Sequence, residues 1–437
     1  MLLKNGTIKI KSKEFSIFIY LLIYKGILDI VYIKYISKVW DFMGFFNKHN
    51  LYDYITSWIL LILISPFIIK NLVNKKASSL FISLFNVISL IPNLTIIGLY
   101  NNYDRGYLLS FFVYWFLLNT LNLIIPSIEF CKLRLRYNFI YSMILISSIL
   151  IILYISYKYT GFRFDLNIFN AYVYRAEADS YQLGNFVDYL FSISRNILPI
   201  FIIDKLVKKK RIQALILLIV GLLAYSVTGS KSVLFSYFIV YIGYWFYNDD
   251  RIAYIPLWMI FLLIIGLVGI KISGLSYIID VFIRRVFFIP GLLTYYYYDF
   301  FMANPFDYFR GSFIGKLGVK SPYSIPIPQI IGNNYFLGAY ANAGLFSDAF
   351  SNMGFIGILI MPIILVITLK TIDSVSENLD KKIVFAASIT SVFSLINSSY
   401  FTVLITHGLL VTIIILYIMN ENNYNIHKVY HSNNECI

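Results

Sequence analysis

The chain has 437 residues, enough for two or three soluble domains, but 59% of them are hydrophobic and only 13% charged, a balance outside the soluble range. The net charge of +14 does not point to nucleic acid, because most of the Lys and Arg sit in short loops on one side of the apolar runs. The composition is that of an integral membrane protein.

A spanning helix needs about 20 mainly apolar residues, and the sequence offers about twelve such stretches. They lie near 15–33, 55–69, 78–98, 107–126, 139–157, 186–204, 212–228, 232–247, 253–272, 347–369, 382–400 and 402–419. Continuous runs without alternation exclude an outer-membrane barrel, and lipid offers backbone groups no partners, so the expected fold is an all-α polytopic one. The whole of 1–437 reads as a single membrane domain. Lys4 to Lys13, Lys70 to Lys76, Lys132 to Arg136 and Lys205 to Arg211 form four basic clusters, and with twelve spans all fall on the side of the N-terminus. The positive-inside rule then puts both ends in the cytoplasm. A positive region precedes the first span with no small-residue cleavage site after it, so this span is expected to be retained. Cys131 and Cys436 both fall on the cytoplasmic side, where a disulfide is not expected. The His residues are scattered, and neither a metal site nor a cofactor site is expected.

Taken in order, the first span carries Lys25 and Asp29, four apart on one helix face. They form either an ion pair facing other helices or a contact with substrate. The loop from Lys34 to Tyr54 follows, with Trp40 and several Tyr, as an interfacial aromatic belt. Residues 158–185 make the first substantial external loop, with Arg163, Arg175, Glu177 and Asp179 among aromatics. Arginine outside runs against the positive-inside bias, so either headgroup snorkelling or ligand binding accounts for it. The turn VTGSKS, Val227 to Ser232, echoes the end of a phosphate-binding loop, but the first Gly of that motif is absent and no nucleotide site is read there.

Residues 273–346 make a far longer external loop. Its early part, Asp280 to Phe301, suits a helix on or dipping into the membrane, with Arg284 and Arg285 near its start and Pro290-Gly291 as a break. Ser321 to Gln329 is proline-rich and expected to be extended. Gly332 to Asn352 is rich in Asn, Gly and Ala, and Asp348 and Asn352 enter the next span. Loops longer than about 15 residues are usually functional or disordered, and the aromatic content here argues against disorder.

Guanidinium groups hold phosphate oxygens bidentately, and aromatic faces with Asn, Asp and Gln suit sugar rings. A ligand with both, plus an apolar tail, is a polyprenyl-pyrophosphate-linked oligosaccharide, which is already activated and needs no nucleotide. The layout, together with LGN (183–185), TGSKS (228–232), RRVFFIPG (284–291), YYDFF (297–301) and NAGLFSDAFSNMGFIG (342–357), resembles the Wzy-type repeat-unit polymerases of bacterial O-antigen and capsule synthesis. The resemblance covers the whole chain in layout, while the local strings are loose. It implies a GT-C-like glycosyltransferase of the bacterial plasma membrane. Such an enzyme moves a growing glycan from undecaprenyl pyrophosphate onto the next lipid-linked repeat unit on the outer face, with a chain-length regulator as a further partner.

Carried onto this sequence, the resemblance makes Arg284, Arg285 and Arg175 pyrophosphate clamps, with Glu177 and Asp348 as further catalytic candidates. Arg163, Tyr297, Asn342 and Asn352 become substrate-binding candidates. Glu177, Asp179, Asp280, Asp299 and Asp348 are all open as general base. Related ligases use an external-loop His that this large loop lacks. The alternatives are a lipid-linked oligosaccharide flippase, an O-antigen ligase, or a scaffold whose arginines only anchor at the interface.

Overall fold

The computed structural model describes residues 5–420 apart from 49, 101–102, 129–135, 182, 248, 275, 313–314 and 316–317. Cys131, Cys436, His49, His427 and His431, like the basic residues Lys4, Lys132 and Arg134, lie outside the described residues. In chain order the helices are α1 Ser12–Val39, α2 Leu51–Val73, α3 Ala77–Tyr100, α4 Arg105–Ile124, α5 Tyr137–Thr160, α6 Ala171–Asp179, α7 Asn185–Val207 and α8 Arg211–Thr228. After them come α9 Lys231–Phe246, α10 Ile255–Ser273, a π-helix Ile278–Phe288, α11 Ile289–Ala303, α12 Ile327–Tyr335, α13 Phe346–Val375, α14 Lys381–Asn397, α15 Tyr400–Ile405 and α16 Leu409–Asn420.

Among the described residues nine of these are long and apolar enough to cross a membrane, as a multi-pass membrane protein requires. All nine coincide with expected spans. The other three expected spans are shorter here: α9 has 16 residues and α14 has 17, and 402–419 is interrupted between α15 and α16, where Gly408 takes a positive φ of 87°.

The described residues gather into two compact units. The first holds α1 to α4, α10 to α12, the π-helix and α13 as far as Ile367, with residues 395–400. At its centre α3 is buried along its length. Several polar residues here bond to one another inside the protein: Asn86 and Asn119 exchange amide hydrogen bonds of 2.7 and 2.9 Å, and Asn122 donates to Asn71 at 2.7 Å. Such side-chain bonds between membrane helices give association a direction that apolar packing in lipid does not.

Lys25 and Asp29 form a buried ion pair at 2.9 Å. Thr95 of α3 donates to the same carboxylate at 2.8 Å, and the Trp58 ring lies 4.3 Å from the ammonium. Every charge here has a partner inside the protein. Removing one partner leaves the other charge buried alone, so Lys25→Met is expected to cost about 3–5 kcal/mol, while Lys25→Met with Asp29→Leu returns close to the parent stability. Thermal unfolding of the purified variants checks this, and a double variant as weak as the single one refutes it.

The second unit holds α5 to α9, residues 368–394 and the chain from 401. In it α7 packs against α8, α5 and α9.

Two expectations for the long loop change. Pro290-Gly291 does not break the helix. Pro290 stands in the first turn of α11, where its missing N–H costs little, and the chain passes there from π-helix to α-helix. The proline-rich stretch is extended only at its start, since Ile327 begins α12 with Pro328 in its first turn.

Candidate functional site

The π-helix is the element that positions Arg284 and Arg285. Its wider turn bonds each N–H to a carbonyl five residues back, an arrangement that usually marks a functional position. Arg284 lies with its guanidinium carbon 3.6 Å from the centre of the Trp40 ring, close cation–π packing, and one of its terminal nitrogens is 3.4 Å from Met43 Sδ. The indole is fixed in turn, because Trp40 Nε1 donates to Asp280 at 2.6 Å and the Tyr35 hydroxyl donates to the other oxygen of Asp280 at 3.0 Å. The plane on which Arg284 rests is thus held by a carboxylate one turn earlier in the same helix. Arg285 is exposed beside it.

Further along this unit, Tyr297 is buried and its hydroxyl donates to the Ala341 carbonyl at 2.9 Å, while Asn342 next to that carbonyl is exposed. Asp348 is buried and both its oxygens are engaged: Oδ2 accepts the Tyr400 N–H at 2.7 Å and Oδ1 accepts from the Asn352 side chain at 2.9 Å. Asn352 in turn accepts the Phe309 N–H at 2.7 Å. The pair fastens the end of the long loop to residue 400 and to the stretch after Asp307. Asp299 is exposed and takes a 2.7 Å hydrogen bond from the Tyr335 hydroxyl; burial of that phenol, then the carboxylate beside it, holds its pKa above the ordinary value.

In the second unit the loop 158–185 folds over the end of α8. Arg163 donates to Glu177 at 2.8 Å and to the Ser226 carbonyl at 3.0 Å, and lies 4.2 Å from the Tyr174 ring. The Ser226 hydroxyl donates to the Asp165 carbonyl at 2.9 Å and accepts the Asp165 N–H at 3.0 Å. Tyr174 donates to the Asp165 carboxylate, and that bond, with the Asn167 N–H, holds the carboxyl below the usual range. Arg175 on α6 donates through Nε to the Gly229 carbonyl at 3.3 Å. The TGSKS turn therefore serves as the seat of α6: Gly229 has a φ of +58°, and a Cβ there would stand 2.2 Å from the Ala171 carbonyl oxygen.

Arg163, Arg175 and Glu177 thus share one environment in the second unit, and Arg284, Arg285, Tyr297, Asn342, Asn352 and Asp348 belong to the first. Sequence reasoning placed Trp40 in an interfacial belt and missed it as the platform for Arg284; a tryptophan just after an apolar run is an ordinary interfacial residue. It also passed over Arg195, a lone arginine inside the apolar run 186–204, where the signal was simply charge in a membrane span. No family model, curated protein or solved structure matches this chain.

Proposed function

We propose that this chain is a membrane glycosyltransferase that polymerises undecaprenyl-pyrophosphate-linked oligosaccharide repeat units on the outer face of the bacterial plasma membrane. The observation that carries the reading is Arg284, laid on the Trp40 ring with Arg285 exposed beside it in a π-helix at the start of a long aromatic loop. A guanidinium fixed before substrate arrives needs little reorganisation when charge develops on a leaving pyrophosphate, and guanidinium geometry matches phosphate oxygens. On this reading twelve spans place both termini in the cytoplasm and the loops 158–185 and 273–346 outside. Arg175 then belongs to the same external machinery, and a chain-length regulator is a partner in the membrane.

On this reading the acidic candidates take different roles. Glu177 is ion-paired with Arg163, and Asp348 spends both oxygens on the Tyr400 N–H and Asn352. Both carboxylates are committed to contacts within the protein, and positioning of Arg163 and of the loop end is the role those contacts support. Asp299, exposed and holding one tyrosine hydroxyl, suits the removal of a proton from an acceptor hydroxyl better.

The test is the surface-glycan profile of cells lacking the protein. Glycan stopped at a single repeat unit is the expected result. Polymer accumulating on its lipid carrier makes the protein a ligase instead, and failure of any repeat unit to reach the outer face makes it a flippase.

A further inference from the structure

The two buried lysines of the described spans are neutralised within the protein, and the half-buried Arg195 is not. Lys25 pairs with Asp29 at 2.9 Å and Lys370 with Asp373 at 3.4 Å, and even the exposed Lys208, just past the end of α7, pairs with Asp204 at 2.8 Å. Arg195, ten residues into α7, has no carboxylate of the described residues within 4.0 Å. Among the described residues its Nε is shut off from solvent without a hydrogen-bond partner, and its one side-chain contact of hydrogen-bond length there is a long one, 3.5 Å to Ser192 Oγ.

The surroundings hold the residue in place without neutralising it. Tyr237 of α9 donates to the Arg195 backbone carbonyl at 3.1 Å, and the neighbouring Asn196 side chain donates to the His407 carbonyl at 3.0 Å. His407 lies at the interruption between α15 and α16, and its carbonyl bond to Asn196 ties that interruption to α7 beside Arg195. The nearest acidic influence is Asp188, two turns earlier on α7 and beyond ion-pair reach. Side chains on a helix lean toward its N-terminus, and the contact with Ser192, three residues back, shows Arg195 doing so. On the topology proposed above, that direction is outward.

A guanidinium inside an apolar span, with no carboxylate of the described residues in ion-pair reach, is available to an anion from outside the protein. We infer that Arg195, with Asn196 and His407 around it, is a binding site for the phosphate of a lipid. The chemistry required is a phosphate or pyrophosphate ester on an apolar chain, because a soluble anion would have to leave water to reach a residue inside an apolar span. Two sources share this chemistry, a polyprenyl pyrophosphate and an anionic phospholipid, and the choice of the first rests on the polymerase reading.

The experiment uses the full chain purified in neutral detergent, with undecaprenyl pyrophosphate and phosphatidylglycerol as separate probes and binding followed by native mass spectrometry. The wild-type chain is expected to retain the pyrophosphate lipid, and Arg195→Gln to weaken it about tenfold or more, the loss of one charge-assisted contact. Arg195→Lys, which keeps the charge but not the fork, is expected to fall between. An unchanged unfolding temperature shows that the variants are folded. Should Arg195→Gln not fold, Arg195→Lys carries the test, read by the same lipid retention. Weakening of phosphatidylglycerol alone keeps the site and makes bilayer phospholipid its ligand. Undiminished binding of both lipids by Arg195→Gln, or by Arg195→Lys where Arg195→Gln does not fold, or absence of binding by the wild type overturns the inference. If binding depends on Arg195 while cells lacking the protein still make full-length polymer, the site stands and the polymerase reading falls.

Discussion

Arg284→Ala is expected to slow polymer formation about a hundredfold, the effect of removing one preorganised contact worth roughly 3 kcal/mol in the transition state. The size follows from how the side chain is held. Its guanidinium rests on an indole that Asp280 and Tyr35 keep in place, so little of its binding energy goes into ordering the arginine itself. Truncation leaves Trp40 and Asp280 bonded to each other, and the protein should reach the membrane in normal amount. Arg284→Lys should recover only part of the rate, because an ammonium neither stacks on the ring in the same way nor presents two donors to one phosphate. The measurement is glycan chain length on cells carrying each variant at matched expression. Polymer of normal length and amount from Arg284→Ala would remove this residue from the machinery.

Gly229→Ala is expected to abolish polymer as fully as Arg175→Ala, although it only adds one methyl group to a tight turn. Its left-handed φ of +58° alone costs an L-residue about 1 kcal/mol. The larger cost is the Ala171 carbonyl oxygen, 2.2 Å from where the methyl carbon would sit. Backbone cannot yield as a side-chain tip can, so α6 must lift from the turn and carry Arg175 with it. Gly274→Ala is the control, because its φ is +67° with nothing within 4 Å of the new carbon. It should lose only the conformational share and leave polymer nearly normal. Limited proteolysis of loop 158–185 should quicken in Gly229→Ala and not in Gly274→Ala; equal behaviour of the two would refute the steric account.

The helical layout was legible because apolar runs in lipid leave the backbone few choices, and the expected runs at 55–69 and 139–157 fall within α2 and α5. Helix at the long loop's centre was less legible: the prolines of Ser321 to Gln329 argue for extension, yet Pro328 is tolerated in the first turn of α12. The candidate site was legible in residue type only. Nothing in the spacing shows that Glu177 turns to Arg163, that Trp40 crosses to Arg284 some 240 positions away, or that Asp348 is occupied by a backbone N–H at residue 400. These are tertiary contacts, which periodicity does not encode. The TGSKS turn shows the converse, a string that suggests phosphate chemistry and acts here as the seat of a short helix.

The eleven-residue π-helix before α11 also bears on how this protein can change. Such a segment is an α-helix carrying surplus chain, and its looser hydrogen-bond geometry is the less stable of the two. Loss of one residue from it can be absorbed by tightening toward α-helix, with the helices on either side left where they are. Arg284 would then rotate off the Trp40 plane. A lineage could thus keep the fold and part with its chemistry through a single in-frame codon deletion, and could regain it by the matching insertion.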